Sequence, residues 1–124
     1  GLVKFMFPNK HNIYLHDTPQ KTLFYREQRT FSHGCIRLQD PFEFAYALLE
    51  KQSLDPLGDF HKILRSGKET VVTLKQPVPV HIIYRTAVSS ADGRVGFRRD
   101  IYGRDRLIYT ALKKAGVALR QNQG

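Results

Sequence analysis

The dipeptides Asp40-Pro41 and Asp55-Pro56 constrain the fold of this chain more than any other local feature. An aspartate just before a helix accepts a hydrogen bond from the free N–H groups of the first turn. A proline at the first helical position loses no hydrogen bond, and its φ is already helical. Each dipeptide therefore starts a helix. After Asp40, Glu43 completes a capping-box pattern, and Phe42, Ala45, Leu48 and Leu49 recur at helical spacing. After Asp55, the inward residues are Leu57, Phe60, Ile63 and Leu64, and Gly67 suits the position just past a helix end. With helices fixed in the middle, any sheet must be assembled from segments before and after them.

Such segments are present. Val3-Lys4-Phe5-Met6-Phe7 reads as a strand stopped by Pro8-Asn9, and Ile13-Tyr14-Leu15-His16 as a second, ended by the turn signal Asp17-Thr18-Pro19. Residues 20 to 34 are polar and irregular, and a long connection of this kind is often functional. Beyond the helices the apolar period changes to two. Val71 to Leu74 reads as a strand, and Val78, Val80, Ile82 and Tyr84 alternate along a longer one. Ala91-Asp92-Gly93-Arg94 is a hairpin turn, with Val95 and Phe97 on the return strand. A last helix runs from about Asp105, with Leu107, Ile108, Ala111, Leu112 and Ala115 as its apolar stripe. Lys113 and Lys114 suit its end, Gly116 stops it, and a frayed tail leads to Gly124. A chain of 124 residues organised in this way is expected to form a single domain.

Composition narrows the class. Hydrophobic residues at 41% and charged residues at 25% are those of a globular protein. No apolar run approaches the roughly 18 residues of a membrane span, and no signal peptide is visible. The chain opens Gly1-Leu2-Val3 without a start methionine and reads as a piece of a longer protein. A net charge of +9 favours anionic partners. The basic residues are scattered, however: Lys62, Arg65 and Lys68 in one group, Arg98, Arg99, Arg104 and Arg106 in a looser one. Without a basic block or an aromatic-rich strand motif, nucleic-acid binding is disfavoured.

The chemistry concentrates in Ser32-His33-Gly34-Cys35-Ile36-Arg37, which holds the one cysteine of the chain. A lone cysteine is a packed small residue or a working thiol. As a nucleophile it must be a thiolate, and a free thiol needs a base to reach that state near neutral pH. His11, His16 and His33 all lie upstream and near, and spacing alone does not choose among them. Gly34 lets the backbone approach a ligand and adopt positive φ. The N–H groups of His33-Gly34-Cys35 suit an oxyanion hole, and Arg37 suits a substrate carboxylate. Each residue also has a plain reading. Cys35 could be packed, the histidines structural, and Arg37 a cover for the next helix. A zinc site from Cys35, His33 and His16 lacks the paired ligand spacing such sites use.

Taken together, the residues resemble a family signature. Tyr14-Leu15-His16-Asp17-Thr18, the gap of residues 17–31 after His16, and then Ser32-His33-Gly34-Cys35-Ile36-Arg37 look like the L,D-transpeptidase catalytic domain, also called the YkuD domain. Met6-Phe7-Pro8-Asn9, Gln76-Pro77-Val78-Pro79-Val80 and Asp100-Ile101-Tyr102-Gly103-Arg104-Asp105 resemble its large periplasmic, YcbB-type branch.

The resemblance implies a β-rich α+β fold, a mixed β-sandwich with flanking helices. The first strands and any lid would precede Gly1, so residues 1–124 would be a partial catalytic domain with an exposed sheet edge. It implies Cys35 as nucleophile, His16 as general acid/base, and the backbone carbonyl of Asp17 orienting His16. Ser32, His33 and Gly34 would shape the oxyanion hole and cleft, with Arg37 on substrate. The implied reaction forms 3–3 peptidoglycan crosslinks through a cysteine thioester with release of D-alanine. L,D-carboxypeptidase activity and an inactive wall-binding module are the alternatives. No metal or organic cofactor is implied. Stem peptides as donor and acceptor, inhibition by carbapenems and a periplasmic location are.

Overall fold

The computed structural model describes residues 1–118. The chain divides into two compact units, Gly1–Val80 and His81–Gly124. The expected frayed tail lies largely outside the described residues.

The first unit opens with three short strands. β1 is Lys4–Met6, β2 is Tyr14–His16 and β3 is Ile36–Arg37, in the order β1-β2-β3. β1 runs antiparallel to β2, with Lys4 opposite His16, Phe5 opposite Leu15 and Met6 opposite Tyr14. β3 runs parallel to β2, with Leu15 beside Ile36 and His16 beside Arg37. Paired residues share a face and successive residues alternate. Phe5, Leu15 and Ile36 therefore form one row. Lys4, His16 and Arg37 form a row on the opposite face, with Tyr14 and Met6. The apolar row faces the helices, as the edge-on contact of Phe5 with Phe44 at 4.8 Å shows. A 3₁₀ turn at Lys21–Tyr25 lies within the irregular stretch of residues 20 to 34, and β3 follows just beyond it.

Both Asp-Pro dipeptides start helices: α1 at Pro41–Leu49 and α2 at Pro56–Arg65. They are not equivalent. Asp55 accepts a hydrogen bond from Gly58 N at 2.9 Å, and a Cβ on Gly58 would run into the same carboxylate. The Asp40 side chain makes no cap bond, so the capping box expected with Glu43 is not formed. The Asp40 carbonyl alone accepts from Phe44 N, at 3.2 Å. The helices meet through aromatic rings. Phe60 lies 5.0 Å from Phe42 and 5.4 Å from Tyr46, and the Tyr46 hydroxyl bonds His61 Nε2 at 2.9 Å. Ala45 is buried where α1 needs a small residue.

The strands expected at Val71–Leu74 and along Val78–Tyr84 are not formed. Apolar alternation makes a segment suitable for a sheet, but a strand also needs a ladder partner for its backbone. Here a side chain substitutes: Gln52 donates to Thr73 O at 3.3 Å and accepts from Lys75 N at 2.8 Å.

The second unit has a hairpin, β4 Ala87–Ser89 with β5 Val95–Phe97, around the expected turn, where Gly93 has φ +82. α3 follows at Arg104–Lys114, and Gly116 past its end has φ +78. Its first turn is held from outside: the Asp100 carboxylate accepts from Arg104 N at 3.1 Å, Asp105 N at 2.8 Å and the Tyr84 hydroxyl at 2.7 Å. The expected inward stripe of α3 is exposed, with Leu107 and Ile108 more than half accessible.

The two caps yield a paired prediction. Asp55→Ala should lower the unfolding free energy by about 1 kcal/mol, because it removes a formed cap bond. Asp40→Ala should change it by much less. Urea unfolding of both variants checks the difference.

Candidate active site

Cys35 immediately precedes β3, at the mouth of an open cleft of about 470 Å³ lined by His11, Asn12, Ile13, Ser32, His33, Gly34 and Cys35. Two loops make it. One carries residues 32–35 and the other joins β1 to β2.

The cysteine loop is closed by local hydrogen bonds. Ser32 Oγ donates to Cys35 O at 2.6 Å and accepts from Gly34 N at 3.2 Å. Arg37 Nη1 donates back to Phe31 O at 3.3 Å, tying the two ends of the loop. Gly34 does not have positive φ, contrary to expectation. A Cβ there would stand 3.4 Å from Ile13 Cγ1, an ordinary contact distance, so Gly34 packs directly against Ile13 without being forced to be glycine by it.

The facing loop is organised by Asn9, which the sequence offers only as a Pro-Asn turn signal. Its amide nitrogen donates to Phe7 O at 2.9 Å and to Ile13 O at 2.7 Å. Its amide oxygen accepts from His11 N and Ile13 N, both at 3.0 Å. Both amide protons and both oxygen lone pairs are thus engaged. Asn12 is left with φ +52, a conformation that asparagine tolerates better than most residues. Its carbonyl oxygen faces Cys35 Sγ at 4.0 Å. The thiol is partly buried.

His16 lies beside this cleft rather than in its lining, at the end of β2. Cys35 stands one residue before Ile36, which pairs with Leu15, while Arg37 pairs with His16. The imidazole is fixed by its neighbour: His16 Nδ1 lies 2.7 Å from Asp17 O. A carbonyl only accepts, so Nδ1 carries the proton and Nε2 is the basic nitrogen when the ring is neutral. The Tyr14 ring packs against the imidazole edge at 5.6 Å.

Asp17 is itself held on every side. Its N–H donates to Val3 O at 2.9 Å. Its carboxylate accepts from Leu2 N at 3.0 Å and from Lys21 Nζ at 3.1 Å. These bonds, led by Leu2 N–H, hold its carboxyl below the ordinary 3.8 against the opposing effect of partial burial. Lys21 is a site residue that sequence reasoning missed. Its signal is Lys four positions after Asp, which suggests a helical pair, whereas it sits at the start of a 3₁₀ turn.

Among the described residues, no group of three or more His, Cys, Asp or Glu side chains is disposed to hold a metal ion. No helix among them is long and apolar enough to cross a membrane.

Residues 1–82 match the family model for the L,D-transpeptidase catalytic domain, YkuD. The chain is also 36% identical over 111 residues to a Haemophilus influenzae protein named "Putative L,D-transpeptidase". That match covers 90% of this chain and 22% of the relative's length.

Two predictions come from this geometry. The Asp17 carboxyl binds its proton less tightly folded than unfolded, so the stability it adds is complete above the unfolded pKa. That stability is lost as pH falls through the lower folded value. The difference in urea midpoint between the unsubstituted chain and Asp17→Asn should therefore shrink between neutral pH and about pH 2.5. Asn9→Ala should speed amide hydrogen exchange at His11 and Ile13 and cost about 1–3 kcal/mol through the lost loop bonds.

Proposed function

The chain belongs to the L,D-transpeptidase catalytic-domain family, and from that premise we propose that Cys35 is an acyl-accepting nucleophile acting on peptidoglycan stem peptides with His16 as its base. The observation that carries the reading is the Nδ1 hydrogen bond of His16 to Asp17 O at 2.7 Å. It leaves Nε2 as the basic nitrogen of a ring on β2, the strand paired with the one that starts just after the chain's lone cysteine. The backbone carbonyl fills the orienting position that a carboxylate occupies in a Ser-His-Asp triad.

The reaction follows from these roles. Nε2 takes the proton of the Cys35 thiol, and the thiolate attacks the carbonyl of the third stem residue, a diaminopimelate. Negative charge gathers on that oxygen in the tetrahedral intermediate. Ser32 already holds the Gly34 N–H. The oxyanion donors of this reading are therefore the amides of His33 and Cys35, with Gly34 giving the close approach. Collapse breaks the bond to D-alanine, whose nitrogen receives the proton from His16, and leaves a thioester on Cys35. An acceptor amine on a neighbouring stem resolves the thioester to a 3–3 crosslink. Water in its place gives L,D-carboxypeptidase activity. Arg37 spends one N–H on Phe31 O and has others to offer a substrate carboxylate. No step uses a metal or organic cofactor.

The substrate places this activity in the periplasm, and the net charge of +9 suits an anionic wall polymer. The β-sandwich of the family belongs to the same reading. Its support is the set of apolar side chains on strand-like segments that remain exposed, among them Met6, Val71, Val78 and Val80.

His11 gives the competing base, because it lines the same cleft as Cys35. Acylation by a carbapenem separates the two. Intact mass should show one adduct on the unsubstituted chain and none on Cys35→Ser. His16→Ala should slow adduct formation by about 10²- to 10⁴-fold, and His11→Ala by less than about threefold. The reverse order would transfer the base role to His11. An unsubstituted, folded chain without an adduct would remove the nucleophile assignment.

A further inference from the structure

The Lys21 ammonium is saturated although its side chain is 44% exposed. Nζ donates to Gln39 O at 2.7 Å, to Leu38 O at 3.3 Å and to Asp17 Oδ1 at 3.1 Å. An ammonium has three N–H groups, and these three acceptors use them all. As an exposed ion pair, Lys21 and Asp17 would add little to stability. What sets the contact apart is where its acceptors lead. Leu38 N donates to His16 O at 2.9 Å, and Asp17 O receives His16 Nδ1 at 2.7 Å. The residue that holds the His16 backbone and the residue that holds its ring are both held by the one ammonium.

The three acceptors also belong to different parts of the site. Asp17 follows β2, whereas Leu38 and Gln39 follow β3, the strand that begins just after Cys35. The Lys21 contact is therefore a latch between the end of the strand carrying the imidazole and the end of the strand that follows the thiol. The strands themselves offer little rigidity, because β3 has two residues and β2 three. Angular error in an imidazole is costly to proton transfer, and small displacements of reacting groups are costly to rate.

We propose that Lys21 is a positioning residue for His16. Its ammonium grips Asp17 and Leu38 together, holds the imidazole in the Nδ1–H tautomer and fixes it relative to Cys35. The proposal rests on the reading of His16 as the base of Cys35. Tyr14 at the ring edge and the ladder partners Lys4 and Arg37 also face His16, and none of them bonds Nδ1.

The test uses the whole chain and two readouts. One is the tautomer of His16 by ¹⁵N NMR. The other is the rate of Cys35 alkylation by iodoacetamide from about pH 5 to about pH 9. In Lys21→Met, His16 should become a tautomer mixture and the neutral-pH alkylation rate should fall about tenfold. Lys21→Arg should restore most of the rate, because a guanidinium keeps the charge and several donors. A purely structural lysine would lower the unfolding midpoint and leave tautomer and pH profile unchanged, which overturns the proposal. Should Lys21→Met fail to fold, Lys21→Gln takes its place. Loss in Gln with rescue in Arg supports the role, and identical profiles in both overturn it. An unsubstituted Cys35 that alkylates like an ordinary thiol would refute His16 as base. An activated Cys35 indifferent to Lys21 would refute the latch alone.

Discussion

Asp17 is the junction on which the candidate site depends. One residue spends its amide on Val3, its carbonyl on the His16 ring, and its two carboxylate oxygens on Leu2 and Lys21. Three strands of two or three residues each would be a weak platform by themselves, since short pairings are marginal in water. The Asp17 bonds turn the end of β2 into a fixed point. The imidazole then inherits its direction from backbone geometry rather than from a second carboxylate.

The site has a division of labour that follows from this. One loop, held by Ser32 and Arg37, presents the thiol; the other, held by Asn9, presents Asn12 and Ile13 across from it. In each case a side chain satisfies backbone groups that no strand or helix would satisfy. That is how an irregular segment becomes rigid without regular structure. A cleft built in this way keeps its shape through polar bonds near the surface.

Much of this was legible in the sequence, for identifiable reasons. The Asp-Pro dipeptides mark both helices because the rule is local. The Asp92-Gly93 turn marks its hairpin because positive φ at that position needs glycine. The Cys35 motif and its spacing from His16 carry the family resemblance, and the family model matches residues 1–82 around them. Other features depend on partners that a sequence does not display. Asp40 and Asp55 look identical, yet only Asp55 finds an N–H within reach. Val71–Leu74 reads as a strand, yet it forms no ladder, and Gln52 bonds Thr73 O and Lys75 N instead. Gly34 suggests a left-handed backbone, and the structure gives it an ordinary one. Lys21 escaped notice because its acceptors, Leu38 and Gln39, are distant in the chain and are backbone carbonyls.

The central claim is that Cys35 forms a thioester with a peptidoglycan stem while His16 manages the proton. The measurement that meets it most directly is rapid acid quench of the chain with a tetrapeptide donor, followed by peptide mapping. The account predicts a tripeptidyl adduct on the peptide containing Cys35, with one D-alanine released per adduct. It also predicts that both are lost in Cys35→Ser and strongly slowed in His16→Ala. D-alanine release that survives Cys35→Ser, or an adduct on another residue, would contradict it.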